Sequence, residues 1–198
     1  MKRRWFMSTA IAGLGMLPFM AGTAAALTEA RAKVLVDTLV NDINKVIASG
    51  KSEKSMIRDF ERIFARYSDT SYISAYAMGV DGRRATSGQK SSFSKAFQGY
   101  IARKYGRRFR EFIGGQLEVK GVKKVKQWYE VKTLARLKGQ SPFDVTFLVS
   151  DRSGRDLFFN MYIEGINLLL TERTEVGALL DRNGGDINKM ISALKKAA

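Results

Sequence analysis

LFFNMYIEGINLLL, Leu157 to Leu170, is the stretch on which the fold turns. Phe158 and Tyr162 share one strand parity while Leu157, Phe159, Met161 and Ile163 share the other, so both faces of an extended segment would carry bulky apolar side chains. A strand with one wet face alternates instead. Three readings stay open on these residues alone: a membrane span, a core strand covered on both sides, or the wall of a cavity that holds something apolar.

Working outward, the residues before this stretch keep a period of 2. Gln116–Lys120, Trp128–Leu137, Pro142–Ser150 and Arg155–Glu164 read as four strands, with Lys138-Gly139-Gln140 and Asp151-Arg152-Ser153-Gly154 as turn signals. Connections this short force antiparallel pairing, because parallel neighbours need a crossover of about a dozen residues. One parity presents Tyr129, Val131, Phe143, Val145, Phe147, Val149, Met161 and Ile163, a wide apolar face.

On either side of the meander the period is near 3.6. Thr28–Ser49 recurs at Val36, Leu39, Val40, Ile43, Val46 and Ile47, with Thr28 as N-cap and Gly50 as the stop. A second helix from Ser52 carries Met56, Phe60, Ile63, Phe64 and Tyr67; Asp69 caps a third that bears Tyr72, Ile73 and Tyr76 and ends at Gly79. A fourth, predicted over Ser87–Ile113, aligns Phe93, Phe97, Tyr100, Ile101, Tyr105, Phe109 and Phe112, with Gly99 and Gly106 as places for a bend. Two more follow over Leu169–Leu180 and Asp186–Ala197. Helices, a meander and helices again predict an α+β fold: a twisted antiparallel four-stranded sheet packed by several helices. A curved sheet roofed by helices leaves room for a dry cavity, and an apolar cavity favours acyl chains over water.

The N-terminus addresses the compartment. Lys2, Arg3 and Arg4 form a basic start, Ile11–Met20 an apolar core broken by Gly13, Gly15 and Pro18, and Ala24-Ala25-Ala26 a small-residue cleavage site. This pattern predicts a cleaved export signal peptide over residues 1–26 and a single domain over 27–198. Arg3-Arg4-Trp5-Phe6-Met7 also resembles the twin-arginine pattern, so both export routes stay open. The whole chain has a net charge of +15, with 34 Lys and Arg against 19 Asp and Glu. Such an excess attracts anionic surfaces. Export argues against nucleic acid and for membranes, while the scatter of basic residues also suits plain solubilising charge.

Chemistry is limited by what is missing. With no His and no Cys, the commonest general base, thiol catalysis and histidine–cysteine metal sites are all absent. The acids worth weighing are Asp144, Asp156 and Glu164, but no pair has the spacing of an acid–base couple, and no phosphate-cradling glycine loop is present. The chain reads as a binder rather than an enzyme, with no cofactor.

Two blocks of residues carry a resemblance. In the first, Asp69, Ile73 and Gly79 are followed by Arg83-Arg84, Ala85-Thr86, Gln89, Phe93, Phe97 and Tyr105; the second is MYIEGINLL, Met161–Leu169, with Arg173 beyond. Together they are similar to the MlaC family of periplasmic phospholipid-binding proteins, once described as toluene-tolerance components. The chain departs from the pattern where Asp156 and Asn160 replace the family's Trp-x-x-x-Asp, and where Asn167 stands for the Ser of its EGvSL motif.

The resemblance implies an α+β domain around a hydrophobic lipid cavity and a periplasmic carrier that shuttles phospholipid between the outer and inner membranes. Implied partners are phospholipid as cargo, an inner-membrane ABC transporter with a ring-forming substrate-binding subunit, and an outer-membrane lipoprotein complex, with the carrier itself a monomer. Stripe, parity and the family match nominate Phe97, Ile101, Tyr105, Val131, Val145, Phe147, Met161, Ile163 and Ile166 as the cavity wall. Arg83, Arg84 and Arg103 are nominated for the mouth, near a headgroup. The competing reading is an exported interaction module whose aromatics fill a solid core and whose basic surface docks on an acidic partner.

Overall fold

In this computed structural model the described residues are 26–108 and 114–197. All but the last residue of the expected export signal, together with Phe109 and Phe112, lie outside them. Five strands follow one another: Gln116–Val125 (β1), Trp128–Arg136 (β2), Phe143–Ser150 (β3), Leu157–Ile163 (β4) and Ile166–Asn167 (β5). Each pairs antiparallel with the next, in the order β1-β2-β3-β4-β5. Six helices accompany them among the described residues: Glu29–Ile47 (α1), Glu53–Tyr67 (α2), Thr70–Met78 (α3), Ser87–Arg108 (α4), Leu168–Arg182 (α5) and Ile187–Lys196 (α6). The fold is α+β, as expected, with five strands where four were expected. The additional strand arises because Glu164 and Gly165 turn the chain back, setting Ile166 opposite Ile163 and Asn167 opposite Tyr162.

β1 also runs past its expected end at Lys120 to Val125. Lys120, Lys123 and Lys124 hide that extension from a search for apolar alternation, but charge is what an edge strand needs to discourage pairing with other chains. β2 shows the sheet's polarity: Tyr129, Val131, Thr133 and Ala135 are buried while Lys132 and Arg136 are exposed. One face is dry. The Thr133 hydroxyl on that face donates to the Val145 carbonyl at 2.8 Å, so its burial leaves no orphan.

The register of β4 explains its double-sided apolar sequence. Phe147 faces Met161, Leu148 faces Asn160, and Val149 faces Phe158, which leaves Phe159 as an extra residue in a β-bulge. The bulge shifts the parity, so Phe158 joins Met161 and Ile163 on the dry face. Phe159 is displaced to pack edge-on against Tyr72 and Trp128. Asn160 is buried; its Oδ1 accepts from the N–H groups of Met161 (2.8 Å) and Leu169 (3.2 Å), and its Nδ2 donates to Asn167 Oδ1 at 3.0 Å. Asn167 Oδ1 in turn caps α5 through the Leu170 N–H. An aspartate at 160 has no such N–H to donate, so the two Asn departures from the family pattern form one arrangement.

α1 lies across the dry face with Val36, Leu39, Val40, Ile43, Val46 and Ile47 buried. Asn44 clips it to the sheet, donating to the Leu117 carbonyl and accepting from the Leu117 N–H, both at 3.1 Å. At its other end Arg31 makes a two-pronged bond to Asp156, at 2.8 and 2.7 Å. α4 opens with a capping box, since Thr86 accepts from the Gln89 N–H and Gln89 returns a bond to the Thr86 N–H. It runs unbroken through both glycines as far as Arg108. Gly106 serves close packing, because a Cβ there would sit 3.1 Å from Ile57 of α2.

Candidate functional site

A cavity of about 340 Å3 opens between the dry face of the sheet and helices α1, α2 and α4. Its sheet wall comes from alternate residues of β3 (Phe143, Val145, Phe147) and from the three β4 residues that the bulge brings into line, Phe158, Met161 and Ile163. Its roof is Phe60, Ile63 and Phe64 of α2 with Ile101, Ala102, Tyr105 and Gly106 of α4, at the spacing of three and four that puts residues on one helix face. The rim carries Gln140 and Ser141 from the β2–β3 loop and Glu164 from the β4–β5 turn. Among the twenty described residues that line the space, Glu164 alone is charged.

Tyr105 presents its ring to the cavity and sends its hydroxyl the other way, to Glu172 of α5. Glu172 is 2 % exposed, and Lys104 Nζ balances it at 2.8 Å while also reaching Glu175 at 2.6 Å. The second Glu172 oxygen, Oε2, has no hydrogen-bond partner among the described residues. Tyr100 completes the seam by donating to Glu175 at 2.6 Å. Burial, and then the bond to Glu175, push the Tyr100 hydroxyl far above its ordinary range. For Glu175, burial pulls the carboxyl up, but the bonds from Lys104 and Tyr100 outweigh it and hold the group below its ordinary value. A small apolar space of about 40 Å3 lies between this seam and the main cavity, and Phe64, Ile101, Tyr105, Phe158 and Met161 face both.

Of the nine residues nominated for the wall, the structure gathers Ile101, Tyr105, Val145, Phe147, Met161 and Ile163 around the cavity. Phe97 borders the small space instead and stacks on Phe93 with centroids 5.5 Å apart. Val131 is fully buried but lies off the lining, paired with Phe147 on one side and Val122 on the other. Ile166 is 60 % exposed and outside the lining, because the tight turn carries it past the rim.

None of the three arginines lines the cavity. Arg84 bonds Asp81 and the Gly185 carbonyl, and Arg103 bonds the carbonyls of Leu194 and Ala197 at the end of α6. Arg83 lines a separate groove of about 680 Å3 between α3 and α4, with Lys90, Lys95, Ser71, Ser74 and Ser94. That groove and the cavity share no lining residue. The α1 and α2 contributions, Leu39, Ile43, Phe60, Ile63 and Phe64, stand on apolar stripes from which the sequence analysis nominated no wall residue. Their spacing marks a buried face, and nothing in it distinguishes a neighbour from a void.

Of the three acids weighed for chemistry, Asp144 and Glu164 are neighbours across the β3–β4 pair, and Asp156 lies at the other end of β4. Asp156 is held by Arg31, Asp144 is exposed, and Glu164 sits at the rim. No group of three or more acidic residues able to hold a metal ion occurs among the described residues. Leu157–Leu170 is a strand, a turn, a short strand and a helix start rather than a membrane span, and no described helix is long and apolar enough to cross one.

No curated protein matches the chain. Among solved structures, a phospholipid-binding protein from Ralstonia solanacearum, in complex with a phospholipid, superposes with a TM-score of 0.71 at 16 % identity, covering 83 % of this chain and 95 % of that one. At that identity the likeness shows a shared fold. The model of the MlaC protein family matches residues 34–196, which include every residue that lines the cavity, and on that match the chain belongs to the MlaC family.

Proposed function

We propose that this protein is a periplasmic phospholipid carrier, which holds acyl chain in the cavity under the sheet and shuttles lipid between the outer and inner membranes. The observation that carries this reading is the cavity itself: a void walled by Phe, Ile, Val and Met in a chain of the MlaC family. Two tails of about sixteen carbons contain roughly thirty CH2 groups, and at about 0.8 kcal/mol each their exposure to water costs over 20 kcal/mol. A carrier has to offset most of that cost.

The cavity volume of about 340 Å3 is roughly twice that of an apolar cavity known to hold benzene, which suits about a dozen carbons. One tail therefore fills it; the neighbouring space of about 40 Å3 adds room for only a carbon or two, so a second tail requires the helices to part from the sheet. The chain works by binding and release, without catalysis or a cofactor. Its partners are an ABC transporter with a ring-forming substrate-binding subunit at the inner membrane and a lipoprotein complex at the outer membrane, which it meets as a monomer after export and signal cleavage at residue 26. The related solved protein, crystallised with a phospholipid, supports the choice of cargo. The test is organic extraction of the purified protein followed by mass spectrometry. Stoichiometric phospholipid is expected, and a protein that yields none, even after incubation with vesicles, overturns the reading in favour of an interaction module.

A further inference from the structure

We infer that the cavity mouth discriminates between headgroups, favouring phospholipids with a primary ammonium over those with a net anionic headgroup, and that Glu164 is the specificity residue. This rests on the carrier reading. A chain with 34 basic and 19 acidic residues would be expected to surround its cavity mouth with cations, and the three arginines nominated for that place lie elsewhere. What stands at the rim among the described residues is one carboxylate flanked by two neutral polar side chains, Gln140 and Ser141.

Glu164 is also held in an unusual way. Its φ is +49°, and with Gly165 at +79° it forms a two-residue hairpin turn of the kind that Asn-Gly or Gly-Gly adopts without strain. A long side chain in the left-handed region is uncommon, and backbone strain of this sort gathers at functional positions. The Glu164 N–H donates to the Asp144 carbonyl at 3.0 Å, which fixes the turn against β3. Its carboxylate makes no hydrogen bond or ion pair among the described residues, so it is free to meet a ligand.

Seating acyl chain in the apolar interior brings the phosphate to this rim. The Ser141 hydroxyl and the Gln140 amide are neutral donors for phosphate oxygens. The Glu164 carboxylate accepts a charge-assisted bond from an ammonium and repels a headgroup of net negative charge. Because the rim is wet and screened, the discrimination amounts to a few-fold rather than an absolute filter.

The test loads the lipid-free protein from vesicles of equimolar phosphatidylethanolamine and phosphatidylglycerol with identical acyl chains, then counts each bound lipid by mass spectrometry. The native protein is expected to take the ethanolamine lipid about threefold over the glycerol lipid. Glu164→Gln brings the ratio to parity, Glu164→Lys reverses it, and Glu164→Asp, which keeps the charge and suits the turn, preserves it. Asp144→Asn removes the same charge from a neighbouring residue outside the lining and leaves the ratio unchanged. A Glu164→Gln or Glu164→Lys protein that still loads lipid at the native ratio overturns the inference, as does an Asp144→Asn protein that shifts it equally. If the native protein loads no lipid at all, the carrier reading fails first and this inference with it.

Discussion

The groove between α3 and α4 is twice the size of the cavity under the sheet, about 680 against 340 Å3, yet it is the poorer home for an acyl chain. Arg83, Lys90 and Lys95 line it with four serines and Gln98, all of which hold water that a hydrocarbon tail would have to displace without replacing its hydrogen bonds. The cavity is walled by side chains that gain nothing from water. Volume alone does not choose a ligand; the hydration of the lining does.

The sharpest break in this contrast is Phe147→Asp, which places an unpaired carboxylate on a residue that is 3 % exposed. A loss of about 3–5 kcal/mol is expected in urea unfolding, together with loss of bound lipid. Lys95→Glu in the groove, also a change to an acid, is expected to stay within about 0.5 kcal/mol. Equal effects from the two would mean that the cavity is as wet as the groove.

Phe158→Ala tests the wall between the cavity and the small space beside it. The empty protein is expected to lose about 3 kcal/mol. Loaded protein should recover part of that, and its bound lipids, read by mass spectrometry, should shift toward longer tails. A fourth variant, Lys104→Met, leaves Glu172 buried without its cation. It is expected to cost about 2 kcal/mol, less than for a fully buried pair because the Lys104 side chain is 26 % exposed. Adding Glu172→Leu should restore most of the loss, and a double-mutant cycle measures that recovery.

The smallest effect concerns pH. The Glu175 carboxyl lies below its ordinary value of 4.5 in the folded protein, so its contribution to stability is complete above that value and fades as pH falls through the lower folded one. Denaturation midpoints measured from neutral pH down to acid should fall less steeply for Glu175→Gln than for the native chain. A steeper fall would reverse the assigned sign.

The elements were legible because their signals are local. The stripe from Val36 to Ile47, the Asp69 cap and the alternation of β2 each follow from residues within a few positions of one another. The placement of the arginines was not. Arg103 reaches the end of α6 and Arg84 reaches Gly185, partners about ninety to a hundred positions away in sequence, and no local pattern encodes such meetings. The strand from Leu157 to Ile163 lies between these cases. Its composition announced something unusual, but whether a second layer or a bulge accounted for it depended on register against β3.

By itself, the amino-acid sequence determined the α+β class, the antiparallel meander and the apolar character of the residues that face inward, because periodicity and turn chemistry act over a few bonds. Only the tertiary structure decided that some of those inward faces meet across a void, that Phe158 shares it, and that, among the described residues, an acid rather than an arginine stands at its mouth. The physical reason is that a side chain leaves water equally well for a neighbour or for an empty space, and the distance between packed layers, which distinguishes the two, is set by the chain as a whole.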